Sequence, residues 1–198
     1  MAYELVYDDN YIEFLRGRDD VARCPACSVP THPYDHGFPQ KKIPRNKDIS
    51  CCFEGFALVS PRLRILLDGQ CTSPVEYFET GGGYFILRPV WSVFLDFTVD
   101  DPRPEEPWRR PPCGEEFCGT CGRHNAYYGF FCGILPGQRE IGDFDMARSA
   151  QERGHKMRKS FTLIVGKGLA DAMKAAKIRG GALIPVEVGD FAGKPKRK

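Results

Sequence analysis

No apolar run in this chain approaches the ~18–20 residues that a membrane-crossing helix needs. The opening Met1-Ala2-Tyr3-Glu4-Leu5-Val6-Tyr7-Asp8-Asp9 lacks both the basic start and the apolar core of a secretory signal. These absences predict a cytoplasmic protein with no membrane partner. Net charge is scarce too. With 28 Lys and Arg against 26 Asp and Glu, the formal charge is +2. A protein that tracks a nucleic-acid groove shows a wider basic stripe, so nucleic acid is not the expected partner. The basic tail Lys194–Lys198, together with Tyr127 and Tyr128, keeps a zinc-ribbon-type nucleic-acid-binding protein as the alternative.

Recognisable catalytic motifs are also missing. The chain holds no G-x-S-x-G, no phosphate-binding P-loop and no H-E-x-x-H. Gly81-Gly82-Gly83 and Gly166-Lys167-Gly168 lack the remaining spacing of a phosphate cradle and read as turn and cap chemistry. Asp96, Asp100 and Asp101 fall at a strand end, where solvent or a partner is a better reading than an acid–base pair. The expectation is a protein that is not an enzyme.

What the chain does hold is cysteine, nine in 198 residues. In a reducing compartment these read as metal ligands and buried thiols rather than disulfides. Two pairs have ligand spacing: Cys24-Pro25-Ala26-Cys27 and Cys118-Gly119-Thr120-Cys121-Gly122. Two intervening residues let the chain turn so that both sulfurs converge on one point, and glycine relieves crowding at the turn. The pairs are 91 positions apart (118 − 27), which excludes an ordinary short zinc ribbon. The chain must leave the site, build much of the core and return.

Four thiolates around one Zn2+ make a closed structural site with no position left for chemistry. Structural zinc contributes about 10–16 kcal/mol in small peptides, against a domain's net stability of about 5–15 kcal/mol. Loss of the ion should therefore unfold or loosen the protein. Cys113, His124, His32 and His36 stand near enough in sequence to replace a cysteine ligand, and that choice stays open. Cys51, Cys52, Cys71 and Cys132 sit in mostly apolar surroundings and read as small core residues.

Along the chain, residues 3–16 alternate as a strand or strand pair, and 29–48 read as a surface loop. Phe56–Val59 is a buried strand entering a helix. Ser60 caps that helix, Pro61 occupies its first position, Leu63, Leu66 and Leu67 share one face, and Gly69 ends it. Tyr84–Phe97 is the strongest β signal, with a bend at Pro89. Residues 99–112 form a loop rich in Pro, acid and Arg around Trp108. Tyr127–Cys132 is a strand leaving the metal site, and a short helix is expected over 144–153. Phe161–Val165 is a strand, 166–178 a helix capped by Gly180 and Gly181, and Ala182–Val188 a returning strand.

Leu163-Ile164-Val165-Gly166-Lys167-Gly168-Leu169 overlays Ala57-Leu58-Val59-Ser60-Pro61-Arg62-Leu63 at an offset of 106 (163 − 57). The overlay suggests a duplicated strand–helix–strand unit. The expected fold is α+β, with a mixed or antiparallel sheet and a few short helices, closed by a structural zinc knuckle pair. Residues 1–193 form one domain, and 194–198 a basic tail.

The order of these words resembles a family. An early Cys24-Pro25-Ala26-Cys27, a middle strand–helix segment, Pro111-Pro112-Cys113 and the Cys118-x-x-Cys121-Gly122-Arg123 knuckle, and a closing strand–helix–strand look like the double-CXXCG motif proteins of bacterial polymorphic toxin systems. Phe56–Leu67 and Phe161–Ala172 are similar to strand–helix segments of related immunity families. Two departures are Ser28, where the motif has Gly, and the extra Cys113. The resemblance implies an immunity protein that neutralises a cognate toxin by protein–protein contact. Trp108, Arg109 and Arg110 are the candidate partner-binding residues, because Trp and Arg are common interface anchors.

Overall fold

The computed structural model describes residues 1–39, 41, 43, 46–98, 117–124, 126–127, 130–155 and 158–188. In chain order the strands are β1 (Ala2–Tyr7), β2 (Ile49–Cys51), β3 (Ala57–Val59), β4 (Val75–Glu79), β5 (Phe85–Pro89), β6 (Ser92–Val93) and β7 (Leu95–Thr98). They continue as β8 (Phe117–Cys118), β9 (Arg123–His124), β10 (Ala126–Tyr127), β11 (Phe130–Ile134), β12 (Met146–His155), β13 (Arg158–Gly166) and β14 (Gly181–Val188). Helix α1 (Pro61–Gln70) follows β3, and α2 (Lys167–Ala175) follows β13.

The fold is α+β. One sheet runs β10-β12-β13-β1-β14-β11-β7, with β6 also paired to β12; a second runs β2-β3-β5-β4; β8 and β9 form a small hairpin. Pairing is antiparallel except at β11–β14 and β6–β12. No helix among the described residues is long and apolar enough to cross a membrane.

The two large sheets share one core. Alternate residues of each strand face it: Tyr3 and Leu5 from β1, Leu163 and Val165 from β13, Ala57 and Val59 from β3, Leu87 from β5. Both helices lie in the same layer, through Leu63 and Leu67 of α1 and Leu169, Ala170 and Met173 of α2. The opposite faces bury separate clusters. Leu58 and Ile86 meet Phe14, Leu15, Val21 and Ile43 on the four-stranded sheet, while Ala147, Ile164 and Val186 meet Val93, Leu95 and Ile134 on the larger one. Strands buried on both faces lose the hydrophobic–polar alternation of a half-exposed sheet.

The α1 start matches its reading. Ser60 Oγ accepts from the Leu63 N–H at 3.2 Å, and Pro61 sits where no donor is needed. Its end is one residue later than expected, because Gly69 stays helical and Cys71 donates to the Leu67 carbonyl. At α2 the cap is Gly166, where a Cβ would lie 1.9 Å from the Gly142 carbonyl oxygen. Its end departs from expectation. Lys177 takes a left-handed conformation (φ 51°) three residues before Gly180, with Ile178 N–H on the Met173 carbonyl and Lys177 N–H on that of Lys174. That is the paired bonding of a Schellman cap, built on a lysine.

The overlay at offset 106 holds in three dimensions. Residues 57–79 and 163–185 run strand, helix and strand with no insertion between copies, and Tyr77 faces Leu87 in its ladder as Leu183 faces Leu5 in its own. Of the helix expected over 144–153, residues 146–153 are instead part of β12. Met146, Ala147 and Ser149 are fully buried between β13 and β6, so tertiary pairing overrides a helix-favouring composition. The β signal over 3–16 shortens to β1, and Tyr84–Phe97 divides at Pro89 into β5, β6 and β7. Because Leu67 of α1 is buried in the core shared by both sheets and α2, Leu67→Ala should lower unfolding free energy by about 2–5 kcal/mol in denaturant titration.

Candidate metal centre

The four cysteines singled out by spacing converge. The sulfurs of Cys24, Cys27, Cys118 and Cys121 all lie within 4.8 Å of one another. Cys24 Sγ is 3.6 Å from Cys118 Sγ, and Cys27 Sγ is 3.7 Å from Cys121 Sγ. A tetrahedral ion with metal–sulfur bonds near 2.3 Å requires sulfurs about 3.8 Å apart, so the set can hold a metal ion with little movement. Cys24 and Cys118 are buried, Cys27 and Cys121 partly so.

Each pair is a tight turn closed by the same bonds. Ser28 N–H donates to the Cys24 carbonyl at 2.8 Å, and Gly122 N–H to the Cys118 carbonyl at 2.8 Å. Behind the turn the chain closes as a hairpin: Cys24 N–H reaches the Val29 carbonyl at 2.9 Å, and Cys118 opposes Arg123 in the β8–β9 pair. The residue after each second cysteine has positive φ, 61° at Ser28 and 67° at Gly122. Ser28 thus adopts the backbone that glycine supplies in the other knuckle. Its departure from the motif changes the cost of the turn and leaves the geometry intact.

The first knuckle is anchored to the body. Val21 packs into the cluster beneath the four-stranded sheet, Val29 is buried, and Arg23 Nη2 donates to the Leu15 carbonyl at 2.9 Å. These supports were not singled out by cysteine spacing. The apolar positions flanking the pair were the signal available.

Electrostatics in the cluster are uneven. The backbone N–H of Cys121 is the main influence pulling the Cys118 thiol down to about 6; the Thr120 N–H and the Cys24 and Cys121 thiols add to it, and burial opposes it. At Cys27 the Val29 N–H favours the thiolate, yet burial and hydrogen bonds with Cys24, Cys121 and Cys118 outweigh it and push that thiol up to about 12. Like charges at this spacing repel, so only a cation allows all four sulfurs to ionise together.

The alternative ligands separate from this group. Among the described residues neither His32 nor His36 joins it. His124 lies in β9, opposite Phe117. Cys113 and the candidate partner-binding Trp108, Arg109 and Arg110 lie outside the described residues. Of the remaining cysteines, Cys52 is a buried core residue, as read, and Cys51 and Cys71 are half-buried. No family model, no curated protein and no solved structure matches the chain.

Ser28 is exposed, so its side chain contributes little beyond the strain of its backbone. Ser28→Gly should raise unfolding free energy by about 0.5–1 kcal/mol in denaturant titration, and Ser28→Val should lower it.

Proposed function

We propose that this chain is an immunity protein that binds and neutralises a cognate bacterial toxin by protein–protein contact, on a scaffold held by structural zinc. The observation that carries the reading is the four-sulfur group formed by two CxxC pairs from distant parts of the chain. Four sulfur donors in tetrahedral spacing suit zinc, with an iron–sulfur centre as the chemical competitor. A four-thiolate zinc has no open position, which supports a structural role and agrees with the lack of catalytic motifs. The double CxxC order links this scaffold to the immunity proteins that the sequence resembles. A protein that acts by blocking a partner needs a rigid body and an anchor-bearing surface. The segment 99–112, with Trp108, Arg109 and Arg110, carries the residue types that serve as anchors. On this reading the protein acts in the cytoplasm of the cell that makes the toxin, or of its kin.

Co-expression with the product of the neighbouring gene tests the proposal. The neighbour should be toxic alone, growth should return when both are made, and the two should co-purify as a complex. A harmless neighbour, or toxicity that persists with this protein present, would contradict the reading. Steeply salt-dependent retention on DNA would favour the nucleic-acid alternative instead.

A further inference from the structure

The equivalence between the two halves extends on both sides of the strand–helix–strand segment. On one side, β2 pairs with β3 through Ile49↔Val59, Ser50↔Leu58 and Cys51↔Ala57. In the other half, β12 pairs with β13 through Met146↔Val165, Ala147↔Ile164 and Arg148↔Leu163. Val59, Leu58 and Ala57 become Val165, Ile164 and Leu163 at the offset of 106, so β2 and β12 match residue for residue. A slip of one residue would have turned every side chain to the other face. Immediately before each strand stands a buried aspartate, Asp48 or Asp145. The carbonyl of each accepts the N–H of the following helix cap, from Ser60 at 2.8 Å and from Gly166 at 2.9 Å.

On the other side the match crosses the chain's own order. β3 pairs with β5 through Ala57↔Leu87, Leu58↔Ile86 and Val59↔Phe85. β13 pairs with β1 through Leu163↔Leu5, Ile164↔Glu4 and Val165↔Tyr3. The N-terminal strand therefore stands in the second half where β5 stands in the first. Beyond the ladders, Val90 N–H bonds the Pro74 carbonyl at 3.0 Å, and Asp8 N–H bonds the Gly180 carbonyl at 3.4 Å, at matching positions. Each of these final strands then continues to the first strand of the other half and pairs with it in parallel, Ser92 with Arg148 and Asp9 with Cys51, a register that differs by one residue between the halves.

Each half also carries one knuckle, ahead of its strands, at a spacing of 94 positions. Cys24 and Cys118 are equivalent, as are Cys27 and Cys121, and the short sulfur contacts join each cysteine to its own equivalent. Such self-pairing is the mark of an isologous, twofold contact.

We infer that the chain is two copies of one unit, a CxxC knuckle followed by strand, strand, helix, strand, strand, with the last strand of the second copy supplied by the N-terminus. The metal centre is the junction of the two copies. Each copy gives one knuckle, and neither holds a complete site alone. The shared core has the same origin, with Ile49 and Met146, Leu63 and Leu169, Leu67 and Met173, and Leu87 and Leu5 as equivalent pairs within it.

If β1 is the displaced final strand of the second unit, it should work at the other end of the chain. Glu79 and Phe85 are paired and joined through residues 80–84, and their equivalents Pro185 and Tyr3 are paired likewise, so the ends already lie together. Three chains decide the matter: residues 8–198 alone, residues 8–198 followed by 1–7, and the latter with a flexible glycine–serine linker before the moved strand. Each is refolded with zinc and read by thermal melting and by metal per chain. The truncated chain should lose cooperative melting, because Tyr3 and Leu5 leave the shared core. At least one relocated chain should recover both the transition and a metal content equal to the native protein's. Relocated chains no better than the truncated one would overturn the inference. So would a truncated chain that melts cooperatively and keeps its metal.

Discussion

Four sulfur atoms drawn within 4.8 Å of one another set the terms for the rest of this molecule. As neutral thiols they gain little from such proximity, and as thiolates they repel. A bound cation removes the conflict and turns the cluster into a cross-link between residues 94 positions apart. A cross-link across a loop of that size restricts the unfolded chain by about 4–5 kcal/mol, if disulfide loop entropy is a fair guide. That is comparable to much of a small domain's net stability. The proposed zinc therefore acts on the fold as a whole.

The constraint works because the knuckles are attached to a continuous core. Val21 ties the first knuckle to the outer face of the four-stranded sheet, and the inner face of that sheet packs with the larger sheet around both helices. Asp48 sits at the seam. Its carboxylate accepts from Ser60 Oγ at 2.9 Å and from the Arg179 backbone N–H at 2.9 Å, joining the cap of α1 to the segment that follows α2. Asp145 does the reciprocal work, accepting from Thr72 Oγ1 at 2.8 Å just beyond α1. Buried carboxylates survive in such a place because each is supplied with donors.

Some of this was legible in the residues. CxxC spacing located all four members of the sulfur cluster, since two thiols on one tight turn have few other uses. Ser60-Pro61 marked the start of α1, because an oxygen cap and a missing N–H are both local requirements. The offset of 106 was visible because it carries whole strand–helix junctions. What escaped was decided by long-range packing. The composition of β12 favours a helix, and burial of Met146 and Ala147 in separate clusters on its two faces removes the alternation that marks a strand. Ser28 and Lys177 hold positive φ where glycine is the usual marker, so residue type does not mark those left-handed positions. The place of β1 between β13 and β14 depends on pairing with strands more than 150 positions away, which no local pattern encodes.

The central claim is that the two CxxC pairs bind one structural zinc between them. Metal content per chain, measured by elemental analysis of purified protein and of a Cys118→Ser, Cys121→Ser variant, tests it most directly. One zinc per native chain is expected, and a variant that has lost the ion and its cooperative thermal transition. Equal metal content in both proteins, or a native chain that carries no zinc, would contradict it.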